Sequence, residues 1–193
     1  MSRLNLLPDP RLEPLTAGLQ ARLAQIAGLI NADNFSDVIT PLAGALLLDA
    51  FAFVGAHEGS VWLLDRANAC LTVAFNNGPD TEALRRYRQP LDRGLVSMVF
   101  ANEQPFVMNA DRTGMDRTVE KLLKIRVTTM IAVPLYFLGE CRGVVSCVRV
   151  ARGDESEPPG FEAEHLGPVK RAVDALHALI DGEILAKTVG LVL

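Results

Sequence analysis

Cysteine, histidine, serine and arginine are the residues of this 193-residue chain whose chemistry has to be placed first. Cys141 and Cys147 stand six residues apart on one predicted strand, about 20 Å in extended chain and beyond disulfide reach. Cys70 begins a strand of a different predicted hairpin, so the three thiols read as small apolar fillers or exposed groups. Their odd number and irregular spacing exclude a disulfide framework and agree with a reducing, cytoplasmic location. His165 and His177 are twelve residues apart on one predicted helix, more than three turns, and His57 is remote from both, so no metal-ligand spacing exists. Ser97 and Ser146 lack a recognisable base or nucleophile elbow. What remains is binding.

The arginines point to what would be bound. From residue 85 to 126 there are nine Lys or Arg against five Asp or Glu, while the rest of the chain has ten against eighteen. A basic segment on an acidic chain predicts a ligand with negative charge or strong acceptors. Arg93, Arg112 and Arg117 would grip it near the N-termini of two short helices, or else face water and balance Asp111, Asp116 and Glu120. Thr128, Thr129 and Ser146 would add neutral contacts, and Ser97, Phe100, Asn109, Asp111 and Met130 complete the predicted lining. The run Arg85, Arg86, Tyr87, Arg88 reads as a solvated loop, since the net charge of −4 offers no global field for nucleic acid or an anionic membrane. No basic leader precedes an apolar run, and no stretch of about 18 apolar residues is present.

These residues must be positioned by a central β-hairpin. Val127 to Phe137 and Arg142 to Val150 are β-branched, apolar runs around the turn residues Gly139, Glu140 and Gly143. At period two, Val127, Thr129, Ile131, Val133, Leu135 and Phe137 form a core face. Thr128, Met130, Ala132, Pro134 and Tyr136 form the other, either a packed layer or a pocket floor. A second hairpin is predicted over 60–65 and 70–75, an edge strand over 87–91 that admits Pro90, and a strand over 104–108. Asp92 and Asp116 are suited to cap short helices over 93–101 and up to about residue 125, making 93–126 a lid. Asn34 to Phe53 looks helical, restarting at Thr40 and Pro41, with Leu42, Leu46, Phe51 and Phe53 inward.

Amphipathic helices close both ends. Leu12, Leu15, Leu19, Leu23, Ile26 and Ile30 recur at helical spacing, as do Leu166, Val169, Val173, Leu176, Ile180 and Ile184. Either stripe could pack on the domain's own sheet or bundle with a second subunit, which predicts a homodimer. With 49% apolar residues the chain can bury one substantial core. The expected organisation is an N-terminal helix over 1–32, one domain over 33–181 and a tail over 182–193.

The phrases GSVWLLD, DRGLVSMVF and TTMIAVPLYFLGECRGVVSCVRV, with a closing helix after Gly160 and Phe161, resemble the GAF domain family over about residues 33 to 181. The resemblance implies an α+β fold of PAS/GAF type, a central antiparallel sheet with helices on one face and a lid on the other. It also implies a small-molecule site under the lid, terminal helices that dimerise, and a bacterial-type sensory or regulatory role exerted through an effector protein. The signature of cyclic-nucleotide-binding members (Asn, Lys, Phe, Asp, Glu) is not matched, and the lid lacks the Cys-His of bilin-binding members. No output domain follows the closing helix, so action through a partner, or as part of a longer signalling chain, is expected. Neither a cofactor nor catalysis is expected. Two alternatives stay open: a redox enzyme similar to the family's free methionine sulfoxide reductases, and a ligand-free interaction scaffold whose lid is filled by Phe100, Phe106 and Met108.

Overall fold

Strands β5 (Ile125–Phe137) and β6 (Glu140–Arg152) form the central hairpin of a computed structural model that describes residues 10, 13–109 and 117–190. They turn through Leu138 and Gly139, at φ 51° and 84°, a two-residue turn in which both central residues are left-handed. That conformation costs a leucine about 1 kcal/mol or more. The Leu138 N–H offsets it by donating to Asp181 Oδ1 at 2.8 Å. Glu140 and Gly143 therefore belong to the strand and not to the turn expected from the sequence. Gly143 is needed for another reason: a Cβ there would lie 2.0 Å from the Trp62 carbonyl oxygen on the neighbouring strand.

The hairpin is flanked by β1 (Glu58–Asp65), β2 (Cys70–Asn76), β3 (Arg88–Pro90) and β4 (Phe106–Asn109) in the antiparallel order β3-β2-β1-β6-β5-β4. Two bulges break the strict alternation read from the sequence. Between Val127 and Thr129 the register shifts, so Val127 joins Met130 on one face while Thr129 stays with Ile131 on the other. Opposite Leu135 and Tyr136, which pair with Gly143 and Cys141, Arg142 is the extra residue.

One face carries α1 (Glu13–Leu29), a 3-10 turn (Phe35–Asp37), α2 (Pro41–Phe53) and α6 (Ala163–Thr188). Thr40 caps α2 by accepting from the Ala43 N–H at 3.2 Å, with Pro41 in the first turn. The helical phase set from there buries Ala43, Leu47, Ala50 and Phe51. Leu42 and Phe53, expected inward, are 61% and 78% exposed. A capping box of Glu162 and His165 starts α6. Its stripe of Val169, Val173, Leu176, Ile180 and Ile184 is buried against the domain's own sheet and helices. Each such side chain is worth about 1.5–3 kcal/mol of burial, so a charge at Leu176 or Ile180 would be strongly destabilising whether or not a second subunit were present. In α1, Leu23 and Ile26 pack partly on this core while Leu15 and Leu19 do not.

The opposite face carries the lid: α3 (Thr81–Arg86), α4 (Leu95–Asn102) and α5 (Thr118–Leu123). The residue at the N-cap of α4 is Gly94 at φ 84°, not Asp92. The chain there closes on Gln89, whose Nε2 donates to the Arg93 carbonyl at 2.7 Å. Asp116, expected to cap α5, lies outside the described residues, and Arg117 occupies the N-cap position.

Candidate functional site

The lid meets the sheet through an apolar layer of Trp62, Val73, Val96, Val99, Ala132 and Val144. Of the predicted lining, Phe100 and Met130 pack on this layer. Ser97 and Ser146 are buried with them, but their hydroxyls are already engaged. Ser97 donates to the Pro90 carbonyl at 2.6 Å, tying α4 to the edge strand, and Ser146 accepts from Trp62 Nε1 at 3.1 Å. Thr128, also buried, donates to the Arg149 carbonyl at 3.0 Å. Arg93 is exposed, and Arg117 sits 3.8 Å from Glu120, whose other oxygen accepts from the Val127 N–H at 2.6 Å. Asp111 and Arg112 lie outside the described residues.

Thr129 and Asn109 do not join this group. Alternation from Ile131 back to Thr129 and the β4–β5 pairing place them on the opposite face, where they fasten the start of the closing helix. The Thr129 hydroxyl lies 2.6 Å from Asn109 Oδ1, and the Phe161 N–H donates to both, at 3.1 and 2.9 Å. Asn109 Nδ2 returns a bond to the Phe161 carbonyl at 2.7 Å. These are positioning contacts for α6.

The lid layer is thus filled largely by the chain's own side chains. Met108 is buried as the strand partner of Met130, while Phe106, expected to fill the lid, is 42% exposed. A cleft of about 550 Å³ opens instead on the helix-bearing side, beside the end of α1 and the β1–β2 hairpin.

The three cysteines are free thiols, Cys70 and Cys147 buried and Cys141 half-buried. Burial pushes Cys147 up to about 12 within the helix-side core and Cys141 up to about 11 near the Phe100 carbonyl. Cys70 is raised by burial and then by Asp65. Each histidine has a structural contact: His57 with the Val150 backbone, His165 in its capping box, His177 with Asp181 at 2.9 Å. Among the described residues no group of three or more His, Cys, Asp or Glu could hold a metal ion. No helix among them is long and apolar enough to cross a membrane.

Sequence reasoning missed two buried arginines of β6. Arg149 donates to the carbonyls of Val54, Gly55, Pro159 and Gly160 at 2.6–3.1 Å and stacks 4.3 Å above Phe161. Arg142 is equally buried but has no such set of acceptors. A charge beside a glycine within an otherwise apolar run, as in Cys141-Arg142-Gly143-Val144, is the available signal for a bulge.

No family model and no curated protein matches the chain. Solved structures do. The GAF domain of a phosphoenolpyruvate-protein phosphotransferase from Coxiella burnetii superposes with a TM-score of 0.60 at 17% identity, covering 89% of this chain and 96% of that one. The GAF domain of a two-component sensor histidine kinase from Bacillus halodurans gives 0.57 at 14%, covering 77% and 99%. Residues 122 to 287 of a methyl-accepting chemotaxis protein give 0.57 at 16%, covering 84% and 96%. The chain has the GAF-like α+β fold.

Proposed function

We propose that this chain is a sensory or regulatory module that responds to a small molecule, works as a homodimer and passes its state to an effector protein through its helices. Support for the sensory part comes from the fold, shared with GAF domains of a sensor histidine kinase and a phosphotransferase protein and with part of a chemotaxis protein. The observation that carries the helical part is where apolar surface is left uncovered. Leu15 and Leu29 of α1, Leu42 and Phe53 of α2, and Val189 after α6 are all more than half exposed. Apolar side chains concentrated on the helices of one layer mark an interaction surface more often than isolated ones do.

Size exclusion with light scattering tests this, and the expected mass is twice the 20.9 kDa of the chain. Leu15→Glu with Leu19→Glu should give a folded monomer, because these side chains add nothing to the core. A wild-type monomer at micromolar concentration, or a dimer indifferent to these changes, refutes the helical interface. Leu176 and Ile180 are unsuitable probes, being core residues.

We further propose that the module is not a cysteine-dependent reductase. Thiols pushed up to about 11 and about 12 are protonated at neutral pH, and the thiolate is the reacting form. Consumption of NADPH with free methionine sulfoxide and a thioredoxin system should stay at background. Turnover that disappears on replacing any one cysteine would establish the enzyme instead.

A further inference from the structure

We propose that the cleft between the end of α1 and the β1–β2 hairpin binds a small organic anion, held through its phosphate or carboxylate group by the buried guanidinium of Arg142. The proposal gives the sensory reading above an address and a ligand class.

Arg142 is the extra residue of the β6 bulge, and the bulge turns its side chain to the helix-bearing side, where it lies 5.8 Å from the centre of the Phe137 ring. Its side chain is only 5% exposed, yet its Nε–H has no hydrogen-bond partner. Buried donors are almost always paired, and an unmatched buried charge is among the costliest features a fold can retain. The nearest carboxylate, Glu140, stands 3.7 Å away and is drawn instead to Arg66, with which it makes the closer contact. Burial lowers the proton affinity of Arg142, Arg66 lowers it further, and Glu140 restores only part. Arg149 on the same strand shows what satisfaction looks like, with its donors on four carbonyl groups.

The surroundings complete the site. Arg66, Arg85, Arg88 and Arg142 line the cleft, against Asp33 and Asp65. Asp65 is turned to its own hairpin, accepting from Ala67 N, Asn68 N and Asn68 Nδ2. A water molecule would satisfy the orphaned Nε–H but would not balance the charge of a cleft lined by four arginines, of which Arg66 pairs with Glu140, Arg85 with Glu82 at 3.7 Å, and Arg88 donates to the Arg85 and Tyr87 carbonyls. An oxyanion does both, and the planar fork of arginine suits it. At about 550 Å³ the cleft falls in the range of small-molecule sites and exceeds what a bare ion fills. A second hollow of about 530 Å³ meets it at Gly28, Arg66 and Arg142, and is lined on its far side by Leu23, Ala24, Ala27 and Phe137. The ligand class is therefore an organic acid with an anionic head at Arg142 and room for either a polar or an apolar body.

The test is a thermal-shift series on the purified chain with inorganic phosphate, glucose 6-phosphate, adenosine monophosphate, citrate and octanoate, against sodium chloride at equal ionic strength. At a hundredfold excess over Kd, binding to the folded state alone raises Tm by about 5–10 °C. At least one organic anion is expected to do so, and the phosphate and carboxylate arms identify the head group. Arg142→Met should abolish the shift and the exposed Arg88→Gln should reduce it. In wild-type protein the Arg142 Nε–H resonance should move on addition of the stabilising anion, which keeps the test open if Arg142→Met folds poorly. No shift beyond the salt control overturns the proposal. So does a shift that persists in both variants, or one removed only by Arg93→Ala with Arg117→Ala, which would return the anion to the lid. Dimerisation is read separately, so a dimer without an anion response would leave the regulatory reading standing and remove this site.

Discussion

Two arginines on one strand, both buried, should respond in opposite ways to the same substitution. Arg149 directs Nε, Nη1 and Nη2 at carbonyl groups on two segments, 54–55 and 159–160, at 2.6–3.1 Å, and its guanidinium covers Phe161. Replacing it with methionine keeps the aliphatic volume and strands those acceptors. Hydrogen bonds to a charged donor contribute about 1.5–3 kcal/mol each. They are not additive here, because the two segments relax together, and a loss of about 4 kcal/mol is expected. For a chain of this length that lowers Tm by roughly 8–16 °C. Arg142→Met removes a buried charge lacking a full set of partners, and should be neutral or stabilising by about 1 kcal/mol in the absence of anions. Urea denaturation followed by tryptophan fluorescence reports both, since Trp62 is the single tryptophan and lies in the lid layer. Unchanged m values would confirm that the same two states are compared. An Arg149→Met variant within about 1 kcal/mol of wild type, or an Arg142→Met variant as damaged as Arg149→Met, would refute this account of how the two charges are held.

Three further outcomes follow. Gly143→Ala places a Cβ 2.0 Å from the Trp62 carbonyl oxygen in the middle of the sheet, so it should lower stability by about 3 kcal/mol or more in the same urea assay. Thr129→Val should free the Phe161 N–H from one of its two acceptors and cost about 1 kcal/mol, with faster hydrogen exchange at the start of α6 and no change in anion response. The Cys147 thiol, raised from 9.0 to about 12 by burial, favours the folded state below pH 9. Above that the unfolded chain ionises first, so this thiol should lower stability by about 1.4 kcal/mol per pH unit between 9 and 12, a share of the slope that Cys147→Ala removes while Cys141, raised to about 11, keeps its own.

The strands were legible because their pattern is physical. Alternating β-branched residues around Gly139 define β5 and β6, Pro90 confines β3 to an edge, and Thr40-Pro41 starts α2 where a cap and a first-turn proline belong. What alternation does not reveal is a register shift. One extra residue near Thr128 moved Val127 to the lid face and left Thr129, with its partner Asn109, on the core face, and another turned Arg142 to the helix side. The charge asymmetry was visible in composition. Assigning it to Arg93 and Arg117 required knowing which surface each arginine reaches, and Arg85 and Arg88 line the cleft beside the end of α1 and the β1–β2 hairpin. The apolar stripe of α6 had two physically equivalent partners, the domain's own core or a second subunit, and only the packed structure distinguishes them.

The bond from the Leu138 N–H to Asp181 joins the tip of the central hairpin to the closing helix across 43 residues of sequence. Leu138 is followed within four positions by Glu140 and Arg142, and Asp181 also lies 2.9 Å from His177, one turn back along α6. The tip, the bulge and the helix are therefore a single linkage of short parts. A displacement of the bulge has to be taken up at that clasp, by moving α6 with it or by releasing the helix. In the first case α6, which runs on to Thr188, would be the element that carries the displacement away from the sheet.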